Sequence, residues 1–103
     1  MHAALLEAAQ RLRQAQASGQ PCAPVRELIA QAQADDPTAD PVALAYAVQQ
    51  YNSQLACDSG QRPVGRKIGL TSRSVQQQLG VAQPDFGILF ADMARGDNQP
   101  IAW

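Results

Sequence analysis

Leu5, Leu6, Ala9 and Leu12 recur at the three- and four-residue spacing of one helix face, which Ala15 or Gln16 continues. Gln10, Arg11, Arg13 and Gln14 fill the other side, so the pattern predicts a helix from His2 to about Ala17, ended by Gly19-Gln20-Pro21. Val25, Leu28, Ile29 and Ala32 predict a second, shorter helix with Pro24 in its first turn. Asp35 to Pro41 is polar and punctuated by two prolines, a connection in which Asp35 and Asp36 are expected to be solvated. Asp40 and Pro41 then make an N-cap and first helical position for a third helix to about Cys57. Its expected core stripe is Leu44, Ala45, Val48, Tyr51 or Asn52, and Leu55, and Ser59-Gly60 ends it.

After Pro63 the period drops to two. Val64, Ile68 and Leu70 alternate with Gly65, Lys67 and Gly69, which is the pattern of a short strand. Thr71 and Ser72 are N-cap residues for a two-turn helix from Ser74 to Leu79, stopped by Gly80. Gln83 to Phe86 is expected as a loop carrying Asp85, Gly87 to Phe90 as a second strand, and Gly96-Asp97-Asn98 as a turn. The fold class is therefore α+β: a helix-rich N-terminal part of about three helices, followed by a short strand–helix–strand. Residues 1–103 are expected to form a single domain or fragment.

Composition narrows the function classes. A net charge of −1 argues against nucleic acid, which needs a clustered basic surface. Arg62, Arg66, Lys67 and Arg73 do cluster locally, without an aromatic platform, and so favour a small anion. Cys22 and Cys57 lack metal-ligand spacing and are expected as reduced, partly buried thiols in a cytosolic protein. No apolar stretch follows a basic start, and none is long enough to cross a membrane. His2 is the sole histidine, expected in a frayed, solvated terminus, which removes His-based zinc sites and a Ser-His-Asp triad.

The candidate chemistry gathers at Lys67. It shares a strand face with Gly65 and Gly69, which leaves room above the ammonium for a small ligand. An edge-strand lysine that discourages aggregation is the other role open to it. The start of the following helix adds backbone N–H groups, so that Lys67 and the Leu70-Thr71-Ser72 turn outline a pocket for a carboxylate or an enolate oxygen. Asp85, 18 residues after Lys67 (85 − 67), could fold back over that pocket. A lysine and an aspartate around a bound carboxylate are a proton-transfer pair in outline.

Gly65-Arg66-Lys67-Ile68-Gly69-Leu70-Thr71-Ser72, with Val75-Gln76, Leu79-Gly80-Val81 and Gln83-Pro84-Asp85-Phe86-Gly87, resembles the 2-keto-4-pentenoate (2-hydroxypenta-2,4-dienoate) hydratase family of the fumarylacetoacetate hydrolase-like group. Ala43 to Gln50 also looks like the helix preceding this strand in that family. The related 4-oxalocrotonate decarboxylases resemble the same region, but Val75-Gln76 and Pro84-Asp85-Phe86-Gly87 look more like the hydratase branch. The resemblance implies the N-terminal portion of a larger mixed α/β enzyme of meta-cleavage aromatic degradation. That enzyme adds water to 2-hydroxypenta-2,4-dienoate to give 4-hydroxy-2-oxopentanoate. By the same resemblance Lys67 is the acid/base or enolate-stabilising group and Asp85 orients it or handles the water proton. Leu70, Thr71 and Ser72 would receive the substrate carboxylate.

The family also implies Mg²⁺ or Mn²⁺ held by a Glu-x-Glu motif and a third acid. Here the only glutamates are Glu7 and Glu27, so no metal ligand is assigned and the chain by itself is expected to be inactive. The implied partners are a dienol carboxylate, further copies in a homo-oligomer, and a related decarboxylase subunit. Two alternatives stay open: decarboxylation in the same pocket, and a non-catalytic module whose alanine-rich helices serve assembly.

Overall fold

Alanine decides how the first part of the chain packs. Helix α1 (Ala3–Ser18) buries Ala4, Leu5, Ala8 and Ala9, and three of these four carry only a methyl group. Helix α2 (Arg26–Asp35) buries Leu28 and Ala32, and helix α3 (Pro41–Asp58) buries Val48. These seven residues form one cluster, with Val25, Ile29 and Leu44 packed against it. The buried stripe of α1 is rotated from the expected one: Leu6 and Leu12 are exposed, and the small alanines take the inner positions. A face of alanines lets another helix approach closely, whereas the longer leucines suit the rim.

The computed structural model describes residues 1–102, which fall into two compact units, Met1–Leu55 and a second beginning at Ala56. In the first, polar side chains fix the helices at their ends and flanks. Asp40 caps α3 as expected, its Oδ1 accepting from Val42 N–H at 3.2 Å. The α3 stripe continues through Asn52 rather than Tyr51, and Ala45 is exposed. Asn52 Nδ2 donates to Ala9 O at 3.1 Å and its Oδ1 accepts from Arg13 at 2.7 Å. Tyr51 lies outside, with the Arg13 guanidinium 5.8 Å from its ring centre.

His2 is not a solvated terminus. Its Nδ1 accepts from Ala4 N–H at 3.0 Å, so it caps α1, and its Nε2 lies 2.6 Å from Asp35 Oδ2. Those two contacts assign the proton to Nε2 in the neutral ring, since Nδ1 must accept. Asp36 is engaged as well, accepting from the Thr38 hydroxyl at 2.6 Å and its N–H at 3.3 Å. The acidic pair thus serves helix ends and a turn. Pro24 falls outside α2, which starts at Arg26 after Val25 as N-cap.

The second unit contains strand β1 (Pro63–Gly69), helix α4 (Arg73–Leu79) and strand β2 (Asp85–Phe90), then a single 3-10 turn over Ala91–Met93. β1 and β2 pair antiparallel as a two-stranded sheet. With the helices this makes the chain α+β, the expected order of elements. β2 begins two residues earlier than expected and takes in Asp85. A one-residue irregularity at Val64 offsets the ladder between Pro63 and Gly65. Among the described residues no helix is long and apolar enough to cross a membrane.

Candidate functional site: the lysine–aspartate strand pair

The ladder register builds the site. Lys67 stands opposite Gly87, and Gly69 opposite Asp85. Residues two apart in a strand share a face, and so do directly paired residues, so these four occupy one block on one side of the sheet. Charged groups take one diagonal and glycines the other. Diagonal neighbours on such a face stand roughly 7–8 Å apart, within reach of two flexible side chains around one small ligand.

Both glycines are used for their missing side chains. A Cβ at Gly87 would fall 3.0 Å from Lys67 Cε and 3.6 Å from its Nζ, so the lysine stem lies across the Gly87 backbone. A Cβ at Gly69 would collide with Asp85 Oδ1, so the carboxylate lies across Gly69 in the same way. Each charged side chain is thereby laid flat over its partner strand. Lys67 and Asp85 are both exposed, and no ion pair joins them among the described residues. An ammonium and a carboxylate on one face, unspent on each other, are both available to a ligand.

Asp85 was expected in a loop folding back over the lysine, but it is the first residue of β2. Strand pairing therefore sets its position. Gly87 was not singled out from the sequence, although a signal for it exists. Lys67-Ile68-Gly69 and Asp85-Phe86-Gly87 are the same charged–apolar–glycine triplet, and antiparallel pairing sets the charge of each against the glycine of the other.

Leu70, Thr71 and Ser72 join β1 to α4. Leu70 leaves the strand with φ of 54°, a left-handed backbone that a leucine rarely adopts. Its carbonyl accepts from Gln76 Nε2 at 2.6 Å. Ser72 is the N-cap of α4 in extended conformation, but its hydroxyl meets that of Ser74 at 2.8 Å and makes no cap hydrogen bond. Gly80 closes α4 in the left-handed region, as the sequence pattern requires. All three turn residues thus lie just beyond the end of the strand that carries Lys67.

The described residues contain no group of three or more His, Cys, Asp or Glu side chains able to hold a metal ion. The donor set for a hard divalent cation is oxygen-rich and convergent, and Asp85 stands on its face without a second acid. The residues present do not fit Mg²⁺ or Mn²⁺.

No family model matches the chain. It is 56% identical over 93 residues, 90% of its length, to the 2-keto-4-pentenoate hydratases of Paraburkholderia phymatum and Burkholderia vietnamiensis. It is 50% identical over 99 residues, 96% of its length, to the TodF product hydratase of Pseudomonas putida. The resemblance first seen around Lys67 therefore runs along nearly all of this sequence. The chain spans about a third of the length of the curated relatives it matches, 32% for the first two and 34% for the third.

Proposed function

We propose that this chain supplies the lysine–aspartate face of a hydratase that adds water to 2-hydroxypenta-2,4-dienoate, giving 4-hydroxy-2-oxopentanoate. The observation that carries the reading is the block of Lys67, Gly69, Asp85 and Gly87, which leaves both charged groups free to act on one ligand. The hydratase names of its relatives favour hydration over decarboxylation at the same face.

The chemistry asks for two proton movements. The dienol hydroxyl at C2 loses its proton while C5 gains one, leaving a ketone conjugated to the C3–C4 double bond. Water then adds through oxygen to C4 and its proton ends on C3. Lys67 stabilises the enolate oxygen or exchanges its proton, and Asp85 orients the ammonium or takes the proton from water. Backbone N–H groups of the Leu70–Ser72 turn receive the carboxylate. A divalent cation such as Mg²⁺ or Mn²⁺, where the complete enzyme holds one, would supply Lewis-acid stabilisation of the enolate, and the described residues offer it no ligand set.

The reading includes a homo-oligomer, or a complex with a related decarboxylase subunit, supported by the exposure of Val64 (52%) and Ile68 (59%) on the sheet. It also includes a cytoplasmic location, supported by two free cysteines, of which Cys57 is partly buried as expected and Cys22 is exposed instead. The chain by itself is expected to be inactive, because its charged pair is open to water and water weakens such groups.

A chimera tests the proposal: this chain replaces the aligned 93 residues of the Paraburkholderia phymatum enzyme. Loss of the dienol absorbance, with formation of the hydroxy-oxo acid, is the expected result. A folded chimera that leaves the dienol untouched sinks the reading.

A further inference from the structure

Helix α4 inverts the usual pattern of a short amphipathic helix. Val75 is 38% exposed and Leu79 is 62% exposed, yet the one residue of α4 that is not exposed is Gln76. An amide takes a sheltered position only when its polar atoms are satisfied. Here Nε2 donates to Leu70 O at 2.6 Å, a contact that also identifies which amide atom faces the carbonyl. The accepting carbonyl belongs to the residue held at φ of 54°.

We propose that Gln76 is a positioning residue, whose amide holds Leu70 in its left-handed conformation and so aims the Thr71 N–H at the substrate carboxylate. The inference rests on the proposed function and deepens it. Leu70 C=O and Thr71 N–H belong to one planar trans peptide and point in opposite directions. Fixing the oxygen toward α4 therefore fixes the N–H away from it. Donation to that oxygen also polarises the peptide and strengthens the same N–H as a donor. Without Gln76 the leucine relaxes toward negative φ, and the peptide turns with it. Gln76 touches no reacting atom in this scheme.

A carboxylate contact of this kind holds ground state and transition state alike, so its loss appears in KM rather than in kcat. In the chimera, Gln76→Met keeps the side-chain length without the donor. It should raise KM about threefold to tenfold, the scale of one hydrogen bond, with kcat within about twofold. Leu70→Gly in that background supplies a residue that accepts positive φ freely, and it should recover most of the lost KM. An unchanged KM, a fall in kcat at constant KM, or no recovery by glycine overturns the proposal. Should the methionine variant not fold, Gln76→Asn, whose amide is too short to reach, carries the same expectations.

Melting temperatures of the parent, the two single variants and the double variant decide the backbone half without substrate. Coupled shifts support a Gln76 hold on Leu70, and additive shifts overturn it. A parent chimera without hydratase activity overturns the functional reading and the carboxylate half of this one, and the melting cycle still judges the rest.

Discussion

The two units of this chain differ in where their side chains are spent. All seven buried apolar residues found among the described residues lie in Met1–Leu55, where three helices close around small side chains. The unit that begins at Ala56 buries none of its described residues, yet it carries Lys67, Asp85 and the left-handed turn. In the first unit polar groups are spent on structure: His2 on Asp35, Asn52 on Ala9 and Arg13. In the second the two most suggestive charges are left unpaired. Side chains without structural partners are the ones a ligand can recruit, and holding them exposed costs the fold little.

The comparison breaks most sharply at Lys67. In the active chimera, Lys67→Met should lower kcat by a factor of about 10² to 10⁴ while stability changes by less than about 1 kcal/mol. Lys67→Arg should not restore the rate, because a guanidinium is bulkier and does not release a proton. Asp85→Asn should also be slow. Near-parent turnover by the methionine variant returns Lys67 to an edge-strand role, and unfolding would make the charge structural.

The opposite profile is expected in the first unit. Leu5 is 3% exposed, and Leu5→Ala should cost about 2–5 kcal/mol, read as a fall in denaturation midpoint, with the rate per folded molecule unchanged. A cost below about 1 kcal/mol would show that the helical cluster is not what holds the unit together.

A smaller effect tests the geometry of the face itself. Gly87→Ala places a methyl 3.0 Å from Lys67 Cε, and the flexible stem must swing aside. Misplacement of about 1 Å can cost up to about a hundredfold in rate, and a drop of about tenfold is expected here with little change in melting. Unchanged kinetics would mean that the lysine does not act from over Gly87.

The smallest thermodynamic effect belongs to the exposed sheet residues. Val64→Ser with Ile68→Ser should shift stability by only about 0.5 kcal/mol per site, since both are more than half exposed. Light scattering of the 103-residue chain at micromolar concentration should nonetheless show the parent as dimers or larger and the double variant as smaller. A parent that runs as a monomer removes the support for oligomerisation.

Local signals carried the helices and the lysine strand. Asp40 and Pro41 announce α3 through chemistry confined to adjacent residues, and the alternation around Lys67 states which glycines share its face. What was not legible depends on pairing at a distance. Asp85 sits between a proline and a glycine-containing run that looks like a loop, and only the β1–β2 register makes it a strand residue. His2 is joined to a residue 33 positions away, which no window along the sequence contains. Gln76 escaped for a different reason: hydrophobic periodicity assigns shelter to Val75 and Leu79, whereas a hydrogen bond to a strained turn assigns it to the amide.

The paired triplets give the lysine–aspartate face a near twofold outline with unlike ends. A half-turn about the middle of this register exchanges Gly69 with Gly87 and Lys67 with Asp85, so ammonium and carboxylate change places. A flat ligand laid on this face would meet a glycine and a charge at each end in either direction, with only the sign of the charge exchanged. Its heading is therefore chosen by charge, and such a choice weakens as ions are added to the solution. The preference of such a ligand between the two headings should therefore fall as ionic strength rises.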